Sequence, residues 1–249
     1  MSETAEKAIK VLEVLSSYDA PVRLVDLSRQ MQMNKSTTYR LLEKLRQLGY
    51  VRQDEPNGRY MLTVRMWEIG VRAFRRFDLR AWARPHLEDI HRATNETAVL
   101  AILDGREVVI IDKIDSAQAI QPFSPLGSRT PLHCSSLGKA LIAADPQTLL
   151  ATLSDPLQSF TPRTAPSVAR LAAEIETARA EGVAVAVDEF REGVSGVAAP
   201  IAGMERTPFG VLGVTLPTAR ATPDRLPGIK TAVRTAAAAL STALGRGAG

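Results

Sequence analysis

Apolar residues recur at three- and four-residue steps through the first part of the chain, the period of an amphipathic helix. Ala5, Ala8, Ile9, Leu12 and Leu15 make one stripe and predict a helix over residues 5–16. Asp19-Ala20-Pro21 breaks it. A second helix over residues 24–31 would bury Leu24, Leu27 and Met31. Asn34 is placed to cap a third, over residues 35–48, and Gly49 suits its stop. On that helix Thr38, Leu41, Leu42, Leu45 and Leu48 face inward, while Thr37, Arg40, Lys44 and Gln47 line the other side. Lys35, Ser36 and Tyr39 crowd its first turn. The period then drops to two: residues 50–53 and 59–62 flank Asn57-Gly58, a strong hairpin signal, with Arg52 and Arg59 at its basic corner.

Two short helices joined by a tight turn and followed by a hairpin are the layout of a winged helix-turn-helix, whose second helix enters the major groove. Hydroxyls and cations at the N-terminal end of such a helix can contact base edges and phosphates. The candidate DNA-binding residues are therefore Lys35, Ser36, Thr37, Thr38, Tyr39, Arg40, Lys44, Arg52 and Arg59. Lys35, Thr37, Tyr39 and Arg40 would carry much of the readout. A winged helix can also serve as a dimerisation module, and that alternative stays open here.

A further helix follows to residue 77. Trp67, Val71 and Phe74 make its stripe, with Phe77 close by and Arg65, Arg72, Arg75 and Arg76 as its charges. So aromatic a face suggests contact with a partner copy; packing on its own domain is the alternative. The chain then turns mixed. A helix carrying Leu79, Trp82, Leu87 and Ile90 is kinked or restarted at Pro85. Residues 98–103 and 107–114 form a hairpin about Asp104-Gly105, and residues 119–123 suggest another strand. Helices are predicted over 136–144, 146–153, 167–182 and 224–244. Strands are predicted over 182–187, 197–202 and 209–216, the last two joined by a turn over 203–208. The fold class is α+β: a winged helix-turn-helix at residues 1–63, a linker helix at 64–77, and an antiparallel-sheet domain of sensor type at 78–249.

Charge sharpens this division. Residues 1–80 hold 15 Lys or Arg against 10 Asp or Glu, whereas residues 81–249 hold 16 against 17. The positive excess sits in the part that would meet a polyanion. No apolar run approaches a membrane span, the polar start offers nothing for a signal peptidase, and the single cysteine, Cys134, excludes a disulfide framework. These point to a cytoplasmic protein without membrane partners. The chemistry of an enzyme is missing: there is no dinucleotide fingerprint or P-loop, and Gly193-Val194-Ser195-Gly196 is not a nucleophile elbow. His86 and His91 lie five apart on one helix and do not share a face, and His133 and Cys134 are adjacent and point apart. No cofactor and no metal is expected. An enzyme that uses the winged helix to dimerise, or a non-specific architectural DNA binder, would be the rivals of a specific regulator.

Asn34-Lys35-Ser36-Thr37-Thr38-Tyr39-Arg40-Leu41-Leu42, followed by Leu48-Gly49-Tyr50-Val51, resembles the recognition helix and wing entry of the IclR family of bacterial transcription regulators. Further matches are Leu126-Gly127-Ser128-Arg129-Thr130-Pro131-Leu132-His133-Cys134-Ser135-Ser136-Leu137-Gly138-Lys139-Ala140, Val187-Asp188-Glu189-Phe190 continuing into Val197-Ala198-Ala199-Pro200-Ile201, and Val211-Leu212-Gly213-Val214-Thr215-Leu216-Pro217. They fall in the family's order along essentially the whole chain. The resemblance implies a GAF-like effector-binding domain, a homodimer or homotetramer on a palindromic operator in double-stranded DNA, and control by a small organic acid or aromatic catabolite. Carried across residue by residue, it implies effector contacts at Leu126, Gly127, Cys134, Ser135, Ser136, Asp188, Glu189, Gly196, Val197, Gly213 and Thr215. Gly196 stands where the family often has cysteine, and Gly213 and Thr215 where it often has serines. That implies a roomier pocket with fewer hydroxyl donors, suited to a bulkier ligand.

Overall fold

In the computed structural model, residues 3–54, 58–74, 79–202 and 208–246 are described. The expected Asn57, Arg75, Arg76 and Phe77, and most of the 203–208 turn, lie outside them. The chain divides into two compact units, Met1–Asp78 and Leu79–Gly249. Among the described residues no helix is long and apolar enough to cross a membrane.

The first unit holds α1 (Glu3–Ser16), α2 (Leu24–Gln30), α3 (Lys35–Gln47), β1 (Val51–Asp54), β2 (Arg59–Leu62) and α4 (Arg65–Phe74). Val11, Leu15, Leu27, Met31, Leu41, Leu42, Leu45, Val51 and Tyr60 form its core. The stripe of α1 is rotated from the expected one. Val11 is fully buried while Ile9 is exposed, because the positions meeting the core are 8, 11, 12 and 15. Leu48, expected inside, is the C-cap of α3 and exposed, since the helix ends one residue before it. β1 and β2 pair antiparallel, with Val51 opposite Leu62 and Arg52 opposite Met61, and Val22 bridges to Tyr60.

The second unit is built on a six-stranded antiparallel sheet in the order β5-β4-β3-β8-β7-β6. The strands are β3 (Thr97–Asp104), β4 (Glu107–Ile114), β5 (Arg129–Pro131), β6 (Ala184–Val187), β7 (Val194–Ala202) and β8 (Pro208–Pro217). The helices are α5 (Leu79–Thr94), α6 (Ser136–Ala144), α7 (Pro146–Leu150), α8 (Val168–Glu181) and α9 (Leu226–Arg246). Side chains alternate across each strand. Ala98, Leu100, Val197, Ala199, Leu212 and Val214 point to one core with residues of α5 and α9. Val99, Ala101, Ala184, Ala198 and Val211 point to a second with residues of α6, α7 and α8.

Two expectations fail here. Residues 119–123 form no strand; Ile120 and Phe123 are exposed, and the segment is held through side chains, with Thr97 Oγ1 donating to Gln121 and Arg220 to the Ile120 carbonyl. α5 runs unbroken through Pro85, and Ala83 rather than Trp82 takes the inward position. The short β5 had no signal in the residue pattern.

Candidate functional site

Asn34 starts α3 from an extended conformation and its Oδ1 accepts the Thr37 backbone N–H at 2.8 Å. The cap leaves Lys35, Ser36, Tyr39, Arg40 and Lys44 exposed and Thr37 half-buried. Ser36 Oγ donates to the same Asn34 oxygen at 2.9 Å, so its hydroxyl is already partnered. Thr38 is a correction: it is fully buried, and its Oγ1 donates back to the Asn34 carbonyl at 3.1 Å. It belongs to the core face, as its spacing from Leu41, Leu42 and Leu45 dictates. In the hairpin, Arg52 and Arg59 share the exposed face with Asp54 and Met61, while Val51, Tyr60 and Leu62 turn inward. Among the described residues no carboxylate lies within ion-pair distance of Lys35, Arg40, Lys44, Arg52 or Arg59, whereas Arg46 is held by Glu43 at 2.8 Å. The cations singled out from sequence thus remain available to an external anion.

The second unit contains a cavity of about 160 Å³ between the sheet, the start of α6, the 122–130 segment and the turn after β6. Ala186, Gly196 and Thr215 are cross-strand neighbours on β6, β7 and β8 and make its floor. Cys134, Ser135, Ser136 and Glu189 also line it. Five of the carried-over residues do not. Val197 is one step along from Gly196, so its side chain enters the opposite core with α5 and α9. Gly213 is covered, since a Cβ there would sit 3.1 Å from Leu137 Cδ2 and 2.8 Å from the Val197 carbonyl. Asp188 turns away: its Oδ1 accepts the Gly193 N–H at 2.8 Å and the Thr218 hydroxyl. Leu126 is exposed, and Gly127 forms a turn at φ +78° whose N–H donates to the Ile110 carbonyl at 2.8 Å.

The expected extra room is therefore absent. Ser136 Oγ occupies the space above Gly196, and Leu137 that above Gly213. The two glycines let the first turn of α6 press onto the sheet. Gly138 does the same on the other side, where a Cβ would run into the Leu132 backbone. Sequence reasoning also missed Ile110, Phe123, Phe190, Arg191 and Val194 in the wall. Phe190 and Arg191 directly follow the acidic pair and could have been included on that ground; Ile110 carried no signal beyond its strand.

Ser135 is the N-cap of α6: its Oγ accepts from Gly138 N at 3.1 Å and donates to the Pro131 carbonyl at 2.9 Å. No hydrogen bond within the described chain engages the Ser136 or Thr215 hydroxyls, which leaves them for a guest. Burial, opposed by Lys139, pushes the Cys134 thiol up to about 12, so it stands in the wall as a neutral, unreactive group. Behind the wall, Lys139 is buried. Its ammonium is 2.7 Å from Glu174 and also lies against Glu189. Burial, with Glu174 nearby, raises the Glu189 carboxyl above its ordinary range against the pull of Lys139. Arg191, its guanidinium 5.3 Å from the centre of the Phe190 ring, has no carboxylate partner among the described residues.

Residues 4–55 match the model of the IclR helix-turn-helix domain, and residues 71–242 match that of the bacterial transcriptional regulator IclR C-terminal domain. The HTH-type transcriptional regulator XynR of Escherichia coli (strain K12) is 33% identical over 98% of this chain and 97% of its own length. The glycerol operon regulatory protein of Streptomyces griseus is 32% identical, covering 98% and 97%. Among solved structures, the Thermotoga maritima IclR superposes with a TM-score of 0.84 at 28% identity, covering 98% of this chain and all of that one. An IclR homolog from Microbacterium hydrocarbonoxydans, complexed with 4-hydroxybenzoate, gives 0.82 at 25%, covering 97% and 99%. The chain belongs to the IclR family of bacterial DNA-binding transcriptional regulators.

Proposed function

We propose that this regulator is a cytoplasmic homodimer or homotetramer that binds a palindromic operator and represses or activates metabolic genes under control of a small organic acid or aromatic catabolite. The observation that carries the reading is the pairing of an uncompensated cationic recognition helix with a formed, largely apolar cavity in the other unit. Lys35, Thr37, Tyr39 and Arg40 read the major groove, Ser36 and Lys44 support them, and Arg52 and Arg59 hold phosphates. Val64, Trp67, Ile69 and Val71 leave an apolar face on and beside α4, which supports contact with a second copy. Two copies related by a two-fold axis match an operator with inverted half-sites.

An apolar cavity of about 150 Å³ takes up benzene, so the cavity here suits a single ring or a short-chain acid. The Ser136 and Thr215 hydroxyls, the free N–H groups at the start of α6 and the Arg191 guanidinium together suit a carboxylate. Regulation rather than catalysis fits the neutral Cys134. The effector acts only through unequal affinity for two arrangements of the dimer; a typical coupling of about 1–3 kcal/mol changes operator affinity roughly 5–150-fold.

Capture of sheared genomic DNA on the purified protein at near-physiological salt, followed by sequencing, tests this. A few enriched sites sharing an inverted repeat are expected, with neighbouring genes that name the pathway. No enrichment over an Arg40→Ala variant, with or without added metabolite extract, refutes a specific regulator.

A further inference from the structure

A second hollow, of about 170 Å³, lies in the first unit between the opening turns of α1 and the exposed side of α3. Thr4 and Lys7 reach it from α1, and Thr37, Arg40 and Lys44 from α3. Glu3 is the sole carboxylate among its described lining residues. Three cations and two hydroxyls thus converge on one notch, a donor set that suits an oxyanion. Among the described residues Arg40 and Lys44 have no ion-pair partner, and Lys7 has only Glu3, at 2.6 Å. That pair lies on the surface: the Glu3 side chain is 81% exposed, and an exposed pair one helical turn apart is weak. Glu3 therefore holds Lys7 in place without committing it.

The place of the notch decides which oxyanion it meets. Thr37, Arg40 and Lys44 line it from the same face of α3 that is assigned to the major groove. That groove is about 12 Å wide, and a helix with its side chains is about 10–12 Å across. A helix lying in the groove fills it, so an element flanking that helix meets the phosphates along the groove edge. The first turns of α1 are such a flank. We propose that the notch between α1 and α3 seats one backbone phosphate of the bound DNA, with Lys7 and Lys44 as its cations, leaving Arg40 to turn to the base edges. The phosphate takes the place of Glu3 at Lys7. Glu3 is thus a competitor that sets how tightly the protein holds DNA of any sequence. This rests on the reading of α3 as the helix in the groove, and adds α1 to the elements that touch DNA.

The test is the affinity of the full-length protein for a captured operator and for a duplex of unrelated sequence, each over a salt series. For each bound copy, Lys7→Gln should flatten the log–log salt dependence by about 0.9, the share of one phosphate, and weaken both duplexes about fivefold near 0.15 M salt. Lys7→Arg should keep the parent slope. Glu3→Gln should tighten both duplexes about twofold, the equivalent of an exposed pair, and that gain should vanish in the Lys7→Gln background. Single methylphosphonate replacements along the operator should reveal a position at which the parent loses affinity and Lys7→Gln does not. An unchanged slope for Lys7→Gln, with Arg40→Ala still weakening the operator, overturns the phosphate seat and leaves α3 in the groove. Binding unaltered by either variant overturns the reading of α3 itself. A loss confined to the operator with the slope intact makes Lys7 a base contact and also overturns the seat. An equal gain from Glu3→Gln with and without Lys7 overturns the competition.

Discussion

Lys139→Met isolates the buried charge cluster behind the cavity. Lys139 has a side chain 4% exposed, with its ammonium shared between Glu174 and Glu189. Methionine keeps the stem and removes the charge. Glu174 suffers little, because it is 29% exposed and retains Arg170 at 3.1 Å. Glu189 is left as a buried carboxylate with no cation. Removing one partner of a buried pair costs about 3–5 kcal/mol. The lower end applies, since Glu189 can escape by taking up a proton, and about 3 kcal/mol at neutral pH corresponds to a fall in Tm of roughly 6–12 °C for a unit of this size. The pH dependence has a definite sign. Burial raises the Glu189 carboxyl in the folded state, and loss of Lys139 raises it further. The folded form therefore holds a proton that the unfolded form has released, between the ordinary carboxylate range and the raised value. Stability is fully present below that window and is lost as pH rises through it. The variant should lie nearest the parent at about pH 4–5 and furthest from it above neutrality. Adding Glu189→Gln should restore most of the loss, because the uncompensated charge is then gone. Scanning calorimetry of the full chain across that pH range reads the transition of the second unit. A loss under about 1 kcal/mol at neutral pH, or a double variant no more stable than the single, refutes the assignment of the cost to Glu189.

In competition binding on a captured operator, Arg40→Ala should cost about 1–3 kcal/mol and relax specificity at one base position; an unchanged preference removes Arg40 from the readout. Arg59→Ala should weaken all sequences alike and flatten the salt dependence by about one unit, read from affinities over a salt series. Thr38→Val should leave operator preference untouched and cost about 1 kcal/mol of stability, since only the hydrogen bond to the Asn34 carbonyl is lost. Gly138→Ala should lose about 1–3 kcal/mol or more in thermal unfolding, because the added methyl meets the Leu132 backbone, which has no side-chain freedom to yield.

The first unit was legible because its signals are local. The Asn34 cap, the Leu41, Leu42 and Leu45 face and the exposed Arg40 and Lys44 all follow from a 3.6-residue period and a capping side chain. Spacing puts even Thr38 on the inward face, and only its hydroxyl recommends it as a DNA contact. The same periodicity failed at Ile9 and Leu48, where a stripe can rotate or end by one residue without changing the pattern that defines it.

The cavity was legible only as a set of segments, and the reason lies in the sheet. Gly196 and Val197 are adjacent in sequence, yet one is floor and the other belongs to the opposite core, since a strand sends alternate side chains to opposite faces. Motif matching names the segment and cannot choose the face; the register Ala186–Gly196–Thr215 does. The glycines misled for a related reason. A missing side chain suggests empty volume, but packed interiors fill such gaps with whatever element can approach. Here that element is α6, whose Ser136 and Leu137 settle over Gly196 and Gly213 while Gly138 clears Leu132. The small residues thus set the depth at which the helix start sits. The close approach brings the Ser136 hydroxyl to the cavity floor, and positions that suggest a large pocket from sequence instead line a compact one.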